Sequence, residues 1–163
     1  MSDVLVTCFS RTGSTELAAR ALAESLGADL DLIQSPDSYT GPGGLVRGLW
    51  QILIRRGPPV ETARDPADYA LVLVGTPVWA GQPTPPVRSY LARYGRRIRA
   101  LAPFCVSASG QAYPGVFQAM ERLAGLPPRA TLSLAENDVR SGASADRIRQ
   151  FAISLRRGRD GVA

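Results

Sequence analysis

Runs rich in Val and Leu recur along this chain at intervals too long for hairpins, and a helix-like stretch fills each interval. That alternation predicts an α/β protein. The strands fall at Val4 to Phe9, Asp29 to Ile33, Ala70 to Gly75, Pro103 to Ser107 and Ala130 to Leu134. Three of them are almost wholly apolar, as strands covered on both faces are, so a parallel sheet between two helix layers is expected. The helices fall at Thr15 to Leu26, Gly44 to Arg56, Pro86 to Tyr94, Tyr113 to Ala124 and Ala145 to Arg157. The punctuation agrees: Gly27, Gly95, Gly125 and Gly158 each follow a helix, and Gly57-Pro58-Pro59 stops the second.

In the last helix Ile148, Phe151, Ala152 and Leu155 form one apolar stripe, with Arg147, Arg149, Arg156 and Arg157 off it. The second helix is different. Leu45, Val46, Leu49, Trp50, Ile52, Leu53 and Ile54 leave only a narrow polar stripe through Arg47, Gln51 and Arg55. A face that wide strains what packing on one sheet can hide, which leaves two readings, a homodimer contact and a deeply buried helix. The longest irregular stretch, Gln34 to Gly43, carries Pro36 and Pro42 and reads as a surface loop beside a ligand or interface. Repeats, low-complexity tracts and shifts of composition are absent, so residues 1–163 are expected to form a single domain.

Two absences narrow the chemistry. The chain contains no histidine, and all 19 basic residues are arginine. Without histidine there is no Ser-His-Asp or Cys-His nucleophile, and the commonest zinc ligand is missing. Without lysine there is no Walker-loop lysine, no kinase strand lysine and no Schiff base for pyridoxal phosphate. Chemistry carried by a bound redox cofactor survives both absences. The net charge of +5 and pI near 9.9 raise nucleic acid as a partner. No basic stripe interleaved with aromatics appears, however, and none is expected to bind.

Cys8 and Cys105 lie inside strands one and four, where free cysteine behaves as a small buried hydrophobe, so no disulfide is expected. The opening Met1-Ser2-Asp3-Val4-Leu5-Val6 has an acidic residue where a signal peptide wants a basic one, and its apolar run is short. A cytoplasmic protein with no membrane span is expected.

The candidate chemistry begins where strand one runs into Ser10-Arg11-Thr12-Gly13-Ser14-Thr15 and then into a helix. Backbone N–H groups at a helix N-terminus attract phosphate, and the hydroxyls of Ser10, Thr12, Ser14 and Thr15 add donors. Gly13 lets the backbone fold closely around an anion. A simple N-cap would need only Ser14 or Thr15. Other phosphate loops fail on inspection. A dinucleotide fingerprint needs two further glycines, a Walker loop needs its lysine, and a low-molecular-weight phosphatase loop starting at Cys8 needs arginine where Ser14 stands.

Ser10 to Thr15 instead resembles, position for position, the Ser/Thr-x-Thr-Gly-x-Thr phosphate loop of the flavodoxin family. The resemblance implies a three-layer, doubly wound α/β fold with a five-stranded parallel sheet in the order 2-1-3-4-5, and FMN as cofactor. Arg11 departs from the family's neutral loop; it either points to solvent or adds charge attraction. Strand three ends in Thr76-Pro77-Val78-Trp79-Ala80-Gly81, which resembles the family's first ring-binding loop, with Trp79 as the stacking aromatic. A core tryptophan is the alternative there. Ala80-Gly81 is the candidate for the peptide that, in that family, rotates beside the flavin. Strand four ends in Ser107-Ala108-Ser109-Gly110, resembling the second ring-binding loop; Tyr113 either covers the ring face opposite Trp79 or simply opens helix four.

The family resemblance implies flavin-based electron transfer with a redox partner protein, with no side-chain acid or base required. The stretch between strand five and helix five is too short for the insertion of long-chain flavodoxins. Flavodoxins are acidic and this chain is basic, which keeps a second reading open, an FMN-dependent reductase passing electrons from NAD(P)H to a quinone or other acceptor. A third is a non-catalytic, redox-sensing flavin module.

Overall fold

The computed structural model describes residues 2–36, 39–54 and 57–160, the last two through their backbone alone. Five strands, β1 (Val4–Cys8), β2 (Asp29–Leu32), β3 (Leu71–Trp79), β5 (Leu101–Ser107) and β6 (Leu132–Ala135), form a parallel sheet in the order β2-β1-β3-β5-β6. A two-residue strand, β4 (Gln82–Pro83), folds back antiparallel on the end of β3. Omitting β4, the order is the expected 2-1-3-4-5. The helices are α1 (Ser14–Leu26), α2 (Gly41–Leu53), α3 (Pro85–Tyr94), α4 (Pro114–Ala124), α5 (Glu136–Ser141) and α6 (Ala145–Asp160).

The two-residue period of the strands sorts the core. Val4, Val6 and Cys8 of β1, Leu71 and Leu73 of β3, and Ala102, Phe104 and Val106 of β5 point to one face, where α1 and α6 cover them. Leu5, Val72, Val74, Leu101 and Cys105 point to the other, beneath α3 and α4. Burial on both faces is why the central strands read as continuous apolar runs. Cys8 and Cys105 are buried free thiols on opposite faces, with β3 between their strands.

The register places Cys8 beside Gly75 and Gly75 beside Phe104, in the row beneath the strand ends. A Cβ on Gly75 would lie 2.2 Å from the Phe104 ring. The glycine therefore clears the space that this phenyl group occupies in the core. At the other side of the sheet the edge of β2 is covered rather than open. Gln34 bridges Glu61, and buried Asp31 accepts hydrogen bonds from the Thr62 hydroxyl and, at 2.9 Å, from the Arg64 N–H. Such a cover blocks strand addition from another chain.

Four local expectations change. Strand three continues four residues past Gly75, because Ala80 and Gly81 turn it into the β3–β4 hairpin. The segment before α6 folds into the short α5 rather than a plain connection. Helix two begins at Gly41, and Arg55 and Arg56, its expected last residues, lie outside the described residues. Tyr113 is the N-cap of α4 rather than its first turn.

Two buried hydroxyls, those of Thr7 and Tyr90, are badly served. The Tyr90 side chain is fully buried on α3, and its hydroxyl has no hydrogen-bond partner among the described residues. Burial pushes that phenol well above its usual pKa. Removing an unsatisfied buried hydroxyl relieves about 1 kcal/mol. Tyr90→Phe is therefore expected to raise the melting temperature by about 2–4 °C in calorimetry.

Candidate functional site

The loop after β1 is shaped by its own residues. Ser10 Oγ accepts a hydrogen bond from the Gly13 N–H at 3.1 Å, closing a tight turn. Gly13 sits at φ 93°, a conformation that favours glycine, and its carbonyl accepts the first helical bond from Leu17 at 2.9 Å. No side chain caps α1. The hydroxyls are thus not spent on capping, the simpler reading of their sequence. Ser14 and Thr15 are buried at the helix start, while Arg11 and Thr12 are exposed. Arg11 neither points freely outward nor simply adds charge: its Nε donates to the Tyr39 carbonyl at 2.7 Å, tying the loop after β1 to the segment before α2.

The second wall comes from β3. Trp79 is 9% exposed and meets Phe9 and Tyr39 edge-on, at ring-centroid distances of 6.3 and 5.4 Å. Helix α2 crosses this cluster at Gly48, where an added Cβ would stand 2.4 Å from the indole. Gly48→Ala sets the helix propensity gained, about 1 kcal/mol, against that clash. Phe9 and Tyr39 hold the indole in place, so the clash dominates. The expected result is a loss of about 1–3 kcal/mol in urea unfolding, with a changed near-UV signal from Trp79.

Thr76 lies beneath the wall rather than on it. Fully buried, it accepts the Thr84 N–H at 3.0 Å and donates to the Pro77 carbonyl at 2.8 Å, so it braces the hairpin. Ala80 and Gly81, at φ 49° and 71°, form the exposed two-residue turn between β3 and β4. Both central residues of a type I′ turn need positive φ. Among the described residues Ala80 is the one non-glycine that adopts it.

The third wall repeats the device of the first. Ser107 Oγ accepts the Gly110 N–H at 3.0 Å, as Ser10 does from Gly13. Gly110, at φ 66°, lies against Ala135 where a Cβ would meet it at 2.7 Å. The Tyr113 and Ser109 hydroxyls are 3.1 Å apart, and the Tyr113 ring packs on the core beneath α4.

A cavity of about 190 Å³ lies among these walls, at the carboxyl ends of the strands. From the expected set it brings together Arg11, Thr12, Ser14, Thr15, Pro77, Val78, Trp79, Ser107 and Ala108. Ser10, Gly13, Thr76 and Gly110 support its walls, while Ala80, Gly81, Ser109 and Tyr113 lie outside the lining. Larger space of about 660 Å³ opens between α2, α3 and α4, but it carries no loop of hydroxyls and is not where the strands converge.

Glu136, absent from the sequence reading, also lines the cavity. It opens α5, and its Oε1 accepts from Ser14 Oγ at 2.8 Å and Thr12 Oγ1 at 3.4 Å. Arg140, one turn on, donates to the same oxygen at 3.0 and 3.2 Å, and to the Thr12 carbonyl at 3.1 Å. The Ser14 hydrogen bond, then that of Arg140, hold the carboxyl below its usual pKa. An anion therefore already stands where the loop's hydroxyls converge. Glu-x-x-x-Arg spacing is visible in the sequence as a helical ion pair, but nothing local ties it to a loop 122 residues away.

The parallel sheet in this order, its two helix layers and a cavity at the strand ends between β1 and β3 define the flavodoxin-like fold. No family model matches the sequence, and no curated protein does. Among solved structures, the chain is similar to a flavoprotein from Lactobacillus acidophilus NCFM crystallised in complex with FMN, at 20% identity and TM-score 0.71 over 90% of this chain and 98% of that one. A Bacteroides uniformis ATCC 8492 protein superposes with TM-score 0.76 at 20% identity, covering 92% and 97% of the two chains. The FMN-bound flavodoxin of Fusobacterium nucleatum gives 0.58 at 11% identity, over 95% and 97%.

Proposed function

We propose that this single-domain protein binds FMN and transfers electrons through it. The observation that carries the reading is the loop from Ser10 to Thr15, leading into a helix that no side chain caps, whose Thr12 and Ser14 hydroxyls converge on a carboxylate oxygen. A group that seats a carboxylate with neutral donors fits a phosphate monoester by the same chemistry. The residues present fit the rest of FMN in kind: Trp79 and Pro77 offer apolar surface, and Ser107-Ala108 brings small residues and backbone to the opposite wall.

Size adds a condition. Ligand pockets typically hold about 300–1,000 Å³, more than this cavity offers. Binding therefore requires the Glu136 side chain to withdraw, the Trp79 and Ala108 walls to part, or both. Ser14, Thr12 and the first amides of α1 would hold the phosphate, and Arg140, released from Glu136, would stand beside it.

FMN, when bound, supplies one- and two-electron chemistry. The chain's part is to bind, orient and shield, for it offers no histidine and no lysine. The Ala80-Gly81 turn, already in the left-handed region, is the segment whose backbone could exchange a carbonyl for an N–H at low cost. The basic charge supports the second reading, direct oxidation of NAD(P)H for a quinone or other acceptor, because it departs from an acidic carrier.

Titration of the protein into FMN tests the first step, with quenching of flavin fluorescence expected. Unquenched flavin would sink the proposal. Adding NADH or NADPH to the loaded protein without oxygen then separates the two readings: persistence of the flavin absorbance favours a carrier served by a partner protein, and bleaching favours a reductase.

A further inference from the structure

Helix α2 is inside out. Its small residues Gly44 and Gly48 face the protein, where a Cβ would stand 2.3 Å from the Tyr39 backbone and 2.4 Å from the Trp79 ring. Its large apolar residues Leu45, Val46, Leu49, Trp50, Leu53 and Ile54 are exposed, Trp50 at 59% and Leu53 at 73%. At 3.6 residues per turn these six occupy one continuous arc of about half the circumference. The deeply buried helix expected as one alternative is thereby corrected. Nor can α2 roll over to hide the arc, because the gap that accepts a glycine has no room for a leucine or tryptophan.

The charge beside the arc is positive, for Arg47 is exposed on α2 itself. No Asp or Glu occurs from Ser38 to Val60 or from Tyr69 to Met120. At the end of α2 the arc continues into the space of about 660 Å³ between α2, α3 and α4, walled by Ile52, Leu53 and Leu123 with Arg88 and Arg122. Arginine beside apolar surface is the pairing that meets a phosphate headgroup above an acyl layer.

We propose that α2 and the adjoining groove dock on an anionic phospholipid membrane, with the apolar arc lying in the interface and the arginines at the headgroup phosphates. A second copy of the chain would bring the same arginines together with no acidic residue of α2 or α3 to pair them, which opposes that pairing. A specific protein partner would exchange about one hydrogen bond per 100–200 Å² of interface. The arc offers a single donor, the Trp50 indole N–H, whereas a lipid boundary asks for none. Docking is peripheral, since among the described residues no helix is long and apolar enough to cross a membrane. It goes beyond FMN binding and does not depend on it. It touches the cavity through Gly48, which seats α2 on Trp79, and through Tyr39, which holds Arg11 and Gln51.

The test is cosedimentation of the full chain with vesicles of phosphatidylcholine alone or mixed with phosphatidylglycerol, alongside tryptophan emission. Anionic vesicles are expected to retain at least about tenfold more protein, less so at high salt, with a blue shift from exposed Trp50 rather than buried Trp79. The double variant Trp50→Ser, Leu53→Ser should lose at least about tenfold of that binding with unchanged far-UV circular dichroism. Arg122→Glu should weaken it with the apolar arc intact. Absence of vesicle binding overturns the proposal, and equal binding to both compositions overturns it through its charge argument. A dimer in sedimentation equilibrium that the double variant dissociates, without vesicle binding, overturns it in favour of a second copy.

Discussion

Ser14→Ala is expected to weaken FMN binding by about 10–100-fold while leaving riboflavin, which lacks the phosphate, bound as before. Ser14 Oγ is buried at the first turn of α1 and makes the shortest of the loop's side-chain contacts to the carboxylate, 2.8 Å. A hydrogen bond to a charged group contributes about 1.5–3 kcal/mol, and each 1.4 kcal/mol is tenfold in affinity. Quenching of the two flavins' fluorescence separates phosphate recognition from loop support. Equal losses for FMN and riboflavin would mean that Ser14 holds the loop's shape instead, and the phosphate assignment would go.

Glu136→Gln should act the other way, tightening FMN by about tenfold. In the structure a negative carboxylate occupies the hydroxyls that a phosphate needs, and two like charges at about 4 Å repel by about 1 kcal/mol even in water. Glutamine keeps the shape and an acceptor oxygen without the charge, and it frees Arg140 to face the ligand. The gain should shrink as salt screens the repulsion. Unchanged or weaker FMN binding in Glu136→Gln would mean that the carboxylate is not a competitor.

The same variant has a signature without ligand. Because hydrogen bonds from Ser14 and then Arg140 lower the Glu136 pKa in the folded chain, the folded state takes up this proton less readily than the unfolded state. The stabilisation is therefore complete above the ordinary carboxylate pKa and is lost as pH falls through the depressed folded value. Urea unfolding of Glu136→Gln should show a shallower acid-side decline than the parent protein.

Much of the candidate site was legible because it is built from local signals. Ser10 to Thr15 is one loop between one strand and one helix, and the Ser10–Gly13 and Ser107–Gly110 turns each close within four residues. What escaped is what joins distant segments. Glu136 reaches Ser14 across 122 positions, from a helix of six residues too short to announce itself by period. The β3–β4 hairpin escaped for another reason: its first turn residue is Ala80, where a turn of that type ordinarily shows Asn, Asp or Gly. Trp79 was read as either stacking wall or core; it packs in the core on Phe9 and Tyr39 and also lines the cavity.

By itself the sequence determined the alternation of the five parallel strands with the five longer helices, the two-sided burial of the sheet and the chemistry that absent histidine and lysine forbid. These follow from periodicity and side-chain inventory, which act over a few residues. Only the tertiary structure decided which carboxylate faces the loop from Ser10 to Thr15, how far the walls of the cavity stand apart, and that α2 turns its glycines inward and its apolar arc outward. A helix has the same wheel whichever way it is rolled, and its direction was settled by Trp79 and Tyr39, whose closeness leaves room for glycine alone.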